Sequence, residues 1–223
     1  MRERDNELLV NWDTICTLLE VTSKDRKKHK ENMANLEGVF RIIQSIPSPK
    51  AEPIRLWLAR VGTERLEEIQ DPELVMDRAK AIYERKGYPK DWIDKRMRGI
   101  NVRHSLTDEW KNRGVKKGIE FAILTDEIYK GTFNMTAQEY KKHKSLNKEN
   151  NLRDHMNDIE LILTMLGEAT TTKLTQDRDS REFDKLQKDA EEGGEVAGKT
   201  RKDIEGRTKK GVIEKGNFLT KRI

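Results

Sequence analysis

An internal disulfide framework is excluded at the outset: the 223-residue chain has a single cysteine, Cys16, which suits a reducing compartment. Aromatic residues are scarce at 6%, and apolar residues reach only 34%, too little to fill one large spherical core. Prolines (five) and glycines (14) are also few, so the composition is not that of a disordered segment. Small helical cores with wide solvated faces are predicted. No apolar run approaches the roughly 20 residues that a bilayer span needs. The opening MRERDNELLV has no apolar signal core, so a cytoplasmic protein of bacterial type is expected. Nor does one sign of charge dominate: 45 basic against 40 acidic residues leave +5, a weak overall field, and any polyanion site has to be local.

The scarce prolines are not spread evenly. Pro47, Pro49 and Pro53 fall within IIQSIPSPKAEPIRLWLA, between two apolar segments with helical spacing. Each disfavours the α region for the residue before it, so a first helix must stop near Ser45 and a second can open with Pro53 in its first turn. Leu36, Val39, Phe40, Ile43 and Ile46 form one stripe before this hinge; Ile54, Trp57, Leu58, Val61, Leu66 and Ile69 form another after it. The two are expected to pack on each other.

Ahead of the hinge, WDTICTLLEV reads as a short amphipathic helix over Trp12 to Val21, with Cys16 on its apolar side. A turn at Thr22-Ser23 follows, then KDRKKHKENMAN, almost without apolar residues, predicted as an exposed helix from Lys24 to Asn35. Helix, turn and basic helix make the outline of a helix-turn-helix reader, with Lys24, Arg26, Lys27, Lys28 and Lys30 as its nucleic-acid-binding residues. Aromatics are not interleaved with these cations, which disfavours a stacking platform for single strands. The mainly α fold therefore divides into an N-terminal module and hinge (1–52), a helical domain (53–172) and a polar helical tail (173–223).

Within the helical domain, Asp71-Pro72 predicts a helix start and Gly87 its end. A short helix from Pro89 is expected to stop at Gly99, and another, capped by Thr107, at Gly114. Val115 to Lys130 follows with Ile119, Ala122, Ile123 and Ile128 as its apolar face. Thr136 and Glu139 form a capping box. The strongest stripe is Leu152, Met156, Ile159, Leu163 and Leu166, ending at Gly167. It reads as a core helix, with homodimerisation through Leu152–Leu166 as the bolder alternative. Beyond Lys173, two helical stretches are expected on either side of Gly193-Gly194, and the end of the chain is expected to be loosely held.

The hinge segment, together with LTDEW (from Leu106), RGVKKGIEFAILTDEI (from Arg113) and NLRDHMNDIELILTMLGEATTT (from Asn151), resembles the bacterial DNA-damage-inducible protein D family. These are prophage antirepressor-like proteins with a BRO-type DNA-binding domain at the N-terminus. The resemblance runs from about Asn35 to the C-terminus. It implies a non-enzymatic role in the DNA-damage (SOS) response and association with DNA or with the RecA recombinase filament on single-stranded DNA. It carries over no catalytic, metal or cofactor residue. In the family more chain, including strand-forming sequence, precedes the hinge, so here the N-terminal domain is expected to be shortened.

Three constellations stand for rival functions. GGEVAGKT, Gly193 to Thr200, satisfies the G-x-x-x-x-G-K-[ST] pattern of a phosphate-binding loop, with Lys199 as its lysine. The segment before it, LQKDAEE, is charged and helix-forming where an apolar strand is required, so the match is read as accidental. His104 with Asp108 and Glu109, and His155 with Asp154 and Asp158, have the spacing of a helical metal site but are read as solvated salt-bridge faces. A metal nuclease or nucleotide hydrolase and a protein-binding adaptor without DNA affinity remain the alternatives. The further basic runs, Lys141–Lys144, Lys199–Lys202 and Lys209-Lys210, are read chiefly as solvated surface.

Overall fold

The structure, a computed structural model, describes residues 6–216 and 218. It is mainly α-helical and comprises two compact units, Met1–Met76 and Asp77–Ile223.

The first unit opens with two short helices, α1 (Asn6–Val10) and α2 (Trp12–Ile15). The chain then becomes a β-hairpin, not the expected pair of helices: β1 (Thr17–Thr22) pairs antiparallel with β2 (Lys28–Met33). Helix-turn-helix geometry is thus absent from the described residues here. The reason lies in TLLEVT, whose β-branched and apolar residues favour an extended strand, and in a tight turn that local polar contacts close before a second helix can start. Helix α3 (Leu36–Gln44) is capped by Asn35, which accepts from the Gly38 amide at 2.8 Å, and its C-cap is Ser45, as the prolines require. A 3-10 turn over Pro49–Ala51 leads into α4 (Glu52–Gln70), with Pro53 in its first turn. Phe40 and Trp57 meet with ring centroids 5.8 Å apart, one contact between the two stripes, but Leu36, Val39, Ile54, Val61, Leu66 and Ile69 are exposed, so the stripes do not bury each other as expected. Cys16 is buried, as core packing predicts.

The division between units falls inside α5 (Glu73–Arg85), whose start is capped by Asp71 through the Glu73 amide (3.1 Å). Gly87 ends that helix with φ +86°. Helix α6 (Lys90–Asn112) runs straight through Gly99, where the sequence predicts a stop. Its N-terminal half buries Trp92, Ile93 and Met97 in one core cluster and its C-terminal half Leu106 and Trp110 in another, so packing on both sides of Gly99 outweighs the cost of about 1 kcal/mol for a mid-helix glycine. Helix α7 (Gly118–Phe133) buries Leu124, Ile128, Tyr129 and Phe133. Ile119 and Ile123, assigned to its apolar face by spacing, are exposed. Helix α8 (Ala137–His143) has the predicted capping box: the Thr136 amide donates to Glu139 at 2.7 Å, and the Glu139 amide to Thr136 at 3.2 Å.

The Leu152–Leu166 stripe is not one helix. Leu152–His155 is a 3-10 turn, and α9 (Asp158–Asp177) starts at an Asn157/Glu160 capping box and continues past Gly167. Leu152, Met156 and Leu163 are buried in one cluster with Trp92, Tyr129 and Phe133, whereas Ile159 and Ile162 face outward. The closing helix, α10 (Phe183–Thr208), is likewise unbroken and packs along both α7 and α9.

One carboxylate ties three segments of this unit together. Glu160, fully buried, accepts from the Tyr140 hydroxyl (2.5 Å), the Lys144 ammonium (2.9 Å), and the amides of Asn157 (2.7 Å) and Glu214 (3.1 Å). Lys144 also donates to the Glu214 carbonyl at 3.1 Å. Burial first, and the Glu160 charge next, raise the Tyr140 hydroxyl above the usual phenol range. Residues around Glu214 are therefore fixed by hydrogen bonds and not loosely held.

Candidate nucleic-acid interface

The five basic residues singled out by the sequence all lie on the hairpin. Thr22 pairs with Lys28, Glu20 with Lys30 and Leu18 with Asn32, so these six side chains share one face. Leu19, Val21, His29 and Glu31 belong to the other. The loop 23–27 is closed by local bonds: the Ser23 amide donates to the Lys27 carbonyl (3.0 Å) and the Arg26 amide to the Ser23 carbonyl (2.9 Å). The Ser23 hydroxyl and the Lys27 amide both donate to Asp25. These two bonds, the hydroxyl's first, hold the Asp25 carboxyl below its usual range. Arg26 adopts φ +65°, the left-handed turn of the loop.

All five cations are exposed, but they are not equivalent. Lys28 pairs with Glu20 at 2.8 Å and Lys27 with Asp25 at 3.8 Å. Lys24, Arg26 and Lys30 have no ion-pair partner among the described residues. A polyanion would therefore meet three uncompensated charges first. A two-stranded ribbon is narrow enough for the duplex major groove, about 12 Å wide. The ribbon carries no phenylalanine, tyrosine or tryptophan ring for base stacking.

The other basic runs are partly engaged: Lys144, Lys199 and Arg201 are held in ion pairs, whereas Lys142, Lys202, Lys209 and Lys210 are exposed surface, as expected of solvated faces. Lys144 is 2% exposed and bound to Glu160. Arg201 is buried, donating to the Thr132 carbonyl at 2.8 Å and pairing with Glu205 at 3.1 Å. Lys199 pairs with Glu195, one turn earlier, at 3.5 Å.

GGEVAGKT lies in the middle of α10, so its amides are engaged in helix bonds and are not turned toward a phosphate. Its glycines serve helix packing. A Cβ at Gly194 would stand 2.6 Å from the Ile128 carbonyl oxygen of α7, an approach only glycine permits. The histidine groups are dispersed into ion pairs. Asp154 accepts from Arg96 (2.8 Å) and Tyr83 (3.0 Å), and Asp158 from Lys95 (3.1 Å). Glu109 accepts from Arg113 at 2.8 Å, and Asp108 from Lys111 at 2.9 Å. Among the described residues no three histidine, cysteine or acidic side chains gather into a metal-binding group.

Sequence spacing did not single out a second buried network. Glu168, 1% exposed, accepts from Arg153 at 2.6 Å and Arg103 at 3.5 Å. Arg103 also donates to the Thr125 hydroxyl at 2.6 Å. Two arginines on one buried carboxylate join α6, α7 and α9.

Comparison with known proteins agrees with the helical unit. No curated protein matches the chain. The family model for the DinD C-terminal domain matches residues 93–216, from α6 through α10 to the hydrogen-bonded segment around Glu214. Since that match covers more than half of the sequence, the chain belongs to the DinD family, a family of DNA-damage-inducible proteins.

Proposed function

We propose that this protein is a non-enzymatic, cytoplasmic component of the DNA-damage response, related to prophage antirepressors, that associates with nucleic acid through phosphate contacts of the hairpin. The nucleic acid is either free duplex or the DNA within a RecA recombinase filament. The observation that carries this reading is the set of exposed, unpaired cations Lys24, Arg26 and Lys30 at one end of a solvated β-ribbon. Such contacts position a protein on DNA without selecting a sequence. Self-association through the α9 region would fall to the outward Ile159 and Ile162, because Leu152, Met156 and Leu163 are buried.

Phosphate contacts release counterions, each adding about 0.9 to the slope of log affinity against log salt on duplex DNA. Replacing Lys24, Arg26 and Lys30 by alanine is expected to lower that slope by up to roughly 2.7, equally on unrelated sequences. Replacing Lys27 and Lys28 removes charges already paired with Asp25 and Glu20, and a smaller change per residue is expected. Salt titrations on two unrelated duplexes read both effects. No affinity at low salt would instead favour the adaptor reading, and a loss confined to one duplex would mean that base edges are being read.

A further inference from the structure

We propose that β1 is a docking edge for a second copy of this chain, the two hairpins joining into one four-stranded antiparallel ribbon in the order β2-β1-β1-β2. This goes beyond the nucleic-acid reading, since the pairing requires no nucleic acid.

The two edges of the hairpin differ in kind. β2, KHKENM, carries three charged side chains, Lys28, Lys30 and Glu31, the usual protection of a sheet edge against further pairing. β1, TLLEVT, has one charge, and that charge is already engaged with Lys28 at 2.8 Å. The outward backbone groups of β1 have no hydrogen-bond partner among the described residues, because the sheet has only two strands. Leu18 and Leu19 are 56% and 48% exposed on opposite faces of the strand. An edge that is open, apolar and unprotected will accept a strand, whereas its charged neighbour will not.

Symmetry then selects the register. A two-fold axis normal to the sheet keeps every side chain on its own face, so only residues of the same face can stand opposite each other. Pairing about the strand centre leaves two choices. One sets Glu20 against Glu20 of the second copy, a like-charge pair that is disfavoured. The other sets Leu19 against Leu19, with Thr17 against Val21 and Leu18 against Glu20. The second forms an apolar and β-branched stripe of Thr17, Leu19 and Val21 from both copies on one face. The opposite face then carries Lys28 and Lys30 of both copies. The two β2 strands lie three strand spacings apart, about 14 Å. The second copy thereby supplies half of the basic face that a single hairpin presents.

One six-residue strand buries well under the about 1,200 Å² of standard complexes, so the association should be weak and concentration-dependent. Sedimentation without nucleic acid is expected to show the full chain shifting toward dimer as concentration rises, and Leu19→Lys remaining monomeric over the same range. Both faces of β1 are largely solvated, so Leu19→Lys should leave the helical melting transition unchanged. The second variant gains a signal: under mild oxidation Leu19→Cys should form a reducible covalent dimer several-fold more readily than Leu18→Cys, with the wild type, whose Cys16 is buried, as the blank. A wild type that stays monomeric, association that survives Leu19→Lys, or equal cross-linking at both positions would overturn the proposal.

Discussion

Glu160→Ala is expected to cost about 3–5 kcal/mol and to lower the urea midpoint of the helical unit severely, because it breaks a buried ion pair from one side. The carboxylate is fully buried and receives four donors; without it Lys144, 2% exposed, keeps the Glu214 carbonyl as its one recorded acceptor. A typical domain has only about 5–15 kcal/mol in total. The α9 start loses its capping partner, and the Glu214 amide loses the contact that holds the C-terminal segment. Adding Lys144→Met to Glu160→Ala should recover part of the loss, since an apolar replacement removes the stranded charge. Urea denaturation followed by circular dichroism checks both. A single variant as stable as wild type, or a double variant less stable than the single, would contradict this hub.

Leu163→Asp should be comparably disruptive. Leu163 is 1% exposed in the cluster that holds Trp92, Ile93, Tyr129, Phe133 and Tyr140, and an unpaired carboxylate there costs several kcal/mol unless it stays protonated. The neighbouring Ile162 is 41% exposed, so Ile162→Asp is the internal control, expected to change stability by no more than about 0.5 kcal/mol. Thermal melts of the two variants should differ widely. Equal melting of both would sink the assignment of this helix's inner face.

What the residues revealed in advance was mainly local. Proline restricts its own φ and its predecessor, so Ser45 and Pro53 could be placed as helix boundaries from the sequence. Thr136 and Glu139 announced a helix start because both halves of the capping box lie within one turn. Glycines misled for the opposite reason. Gly99, Gly167 and Gly194 read as stops, yet each sits inside a helix, and at Gly194 the close approach of α7 that requires it is a tertiary fact. On α7 the expected face was right at Ile128, which is buried, and wrong at Ile119 and Ile123, which fit the period as well as the buried Leu124; only packing chooses between them.

The hairpin shows the same limit at the candidate site. KHKENM has neither an apolar helix period nor strand alternation, and its strand state is set by pairing with TLLEVT across the turn. The identity of the basic residues was legible in the sequence; their arrangement was not. As a ribbon they present two faces and a loop, with Lys27 and Lys28 partly neutralised, an inequality that no count of charges reveals.

The most direct test of the proposed interface is an amide chemical-shift map of the nitrogen-15-labelled full chain, titrated with a short DNA duplex at low salt. Shifts concentrated at Ser23 to Lys30 are expected, fading as salt rises, with the amides of α6 to α10 unmoved. Shifts confined to those helices, or none at any salt, would contradict it.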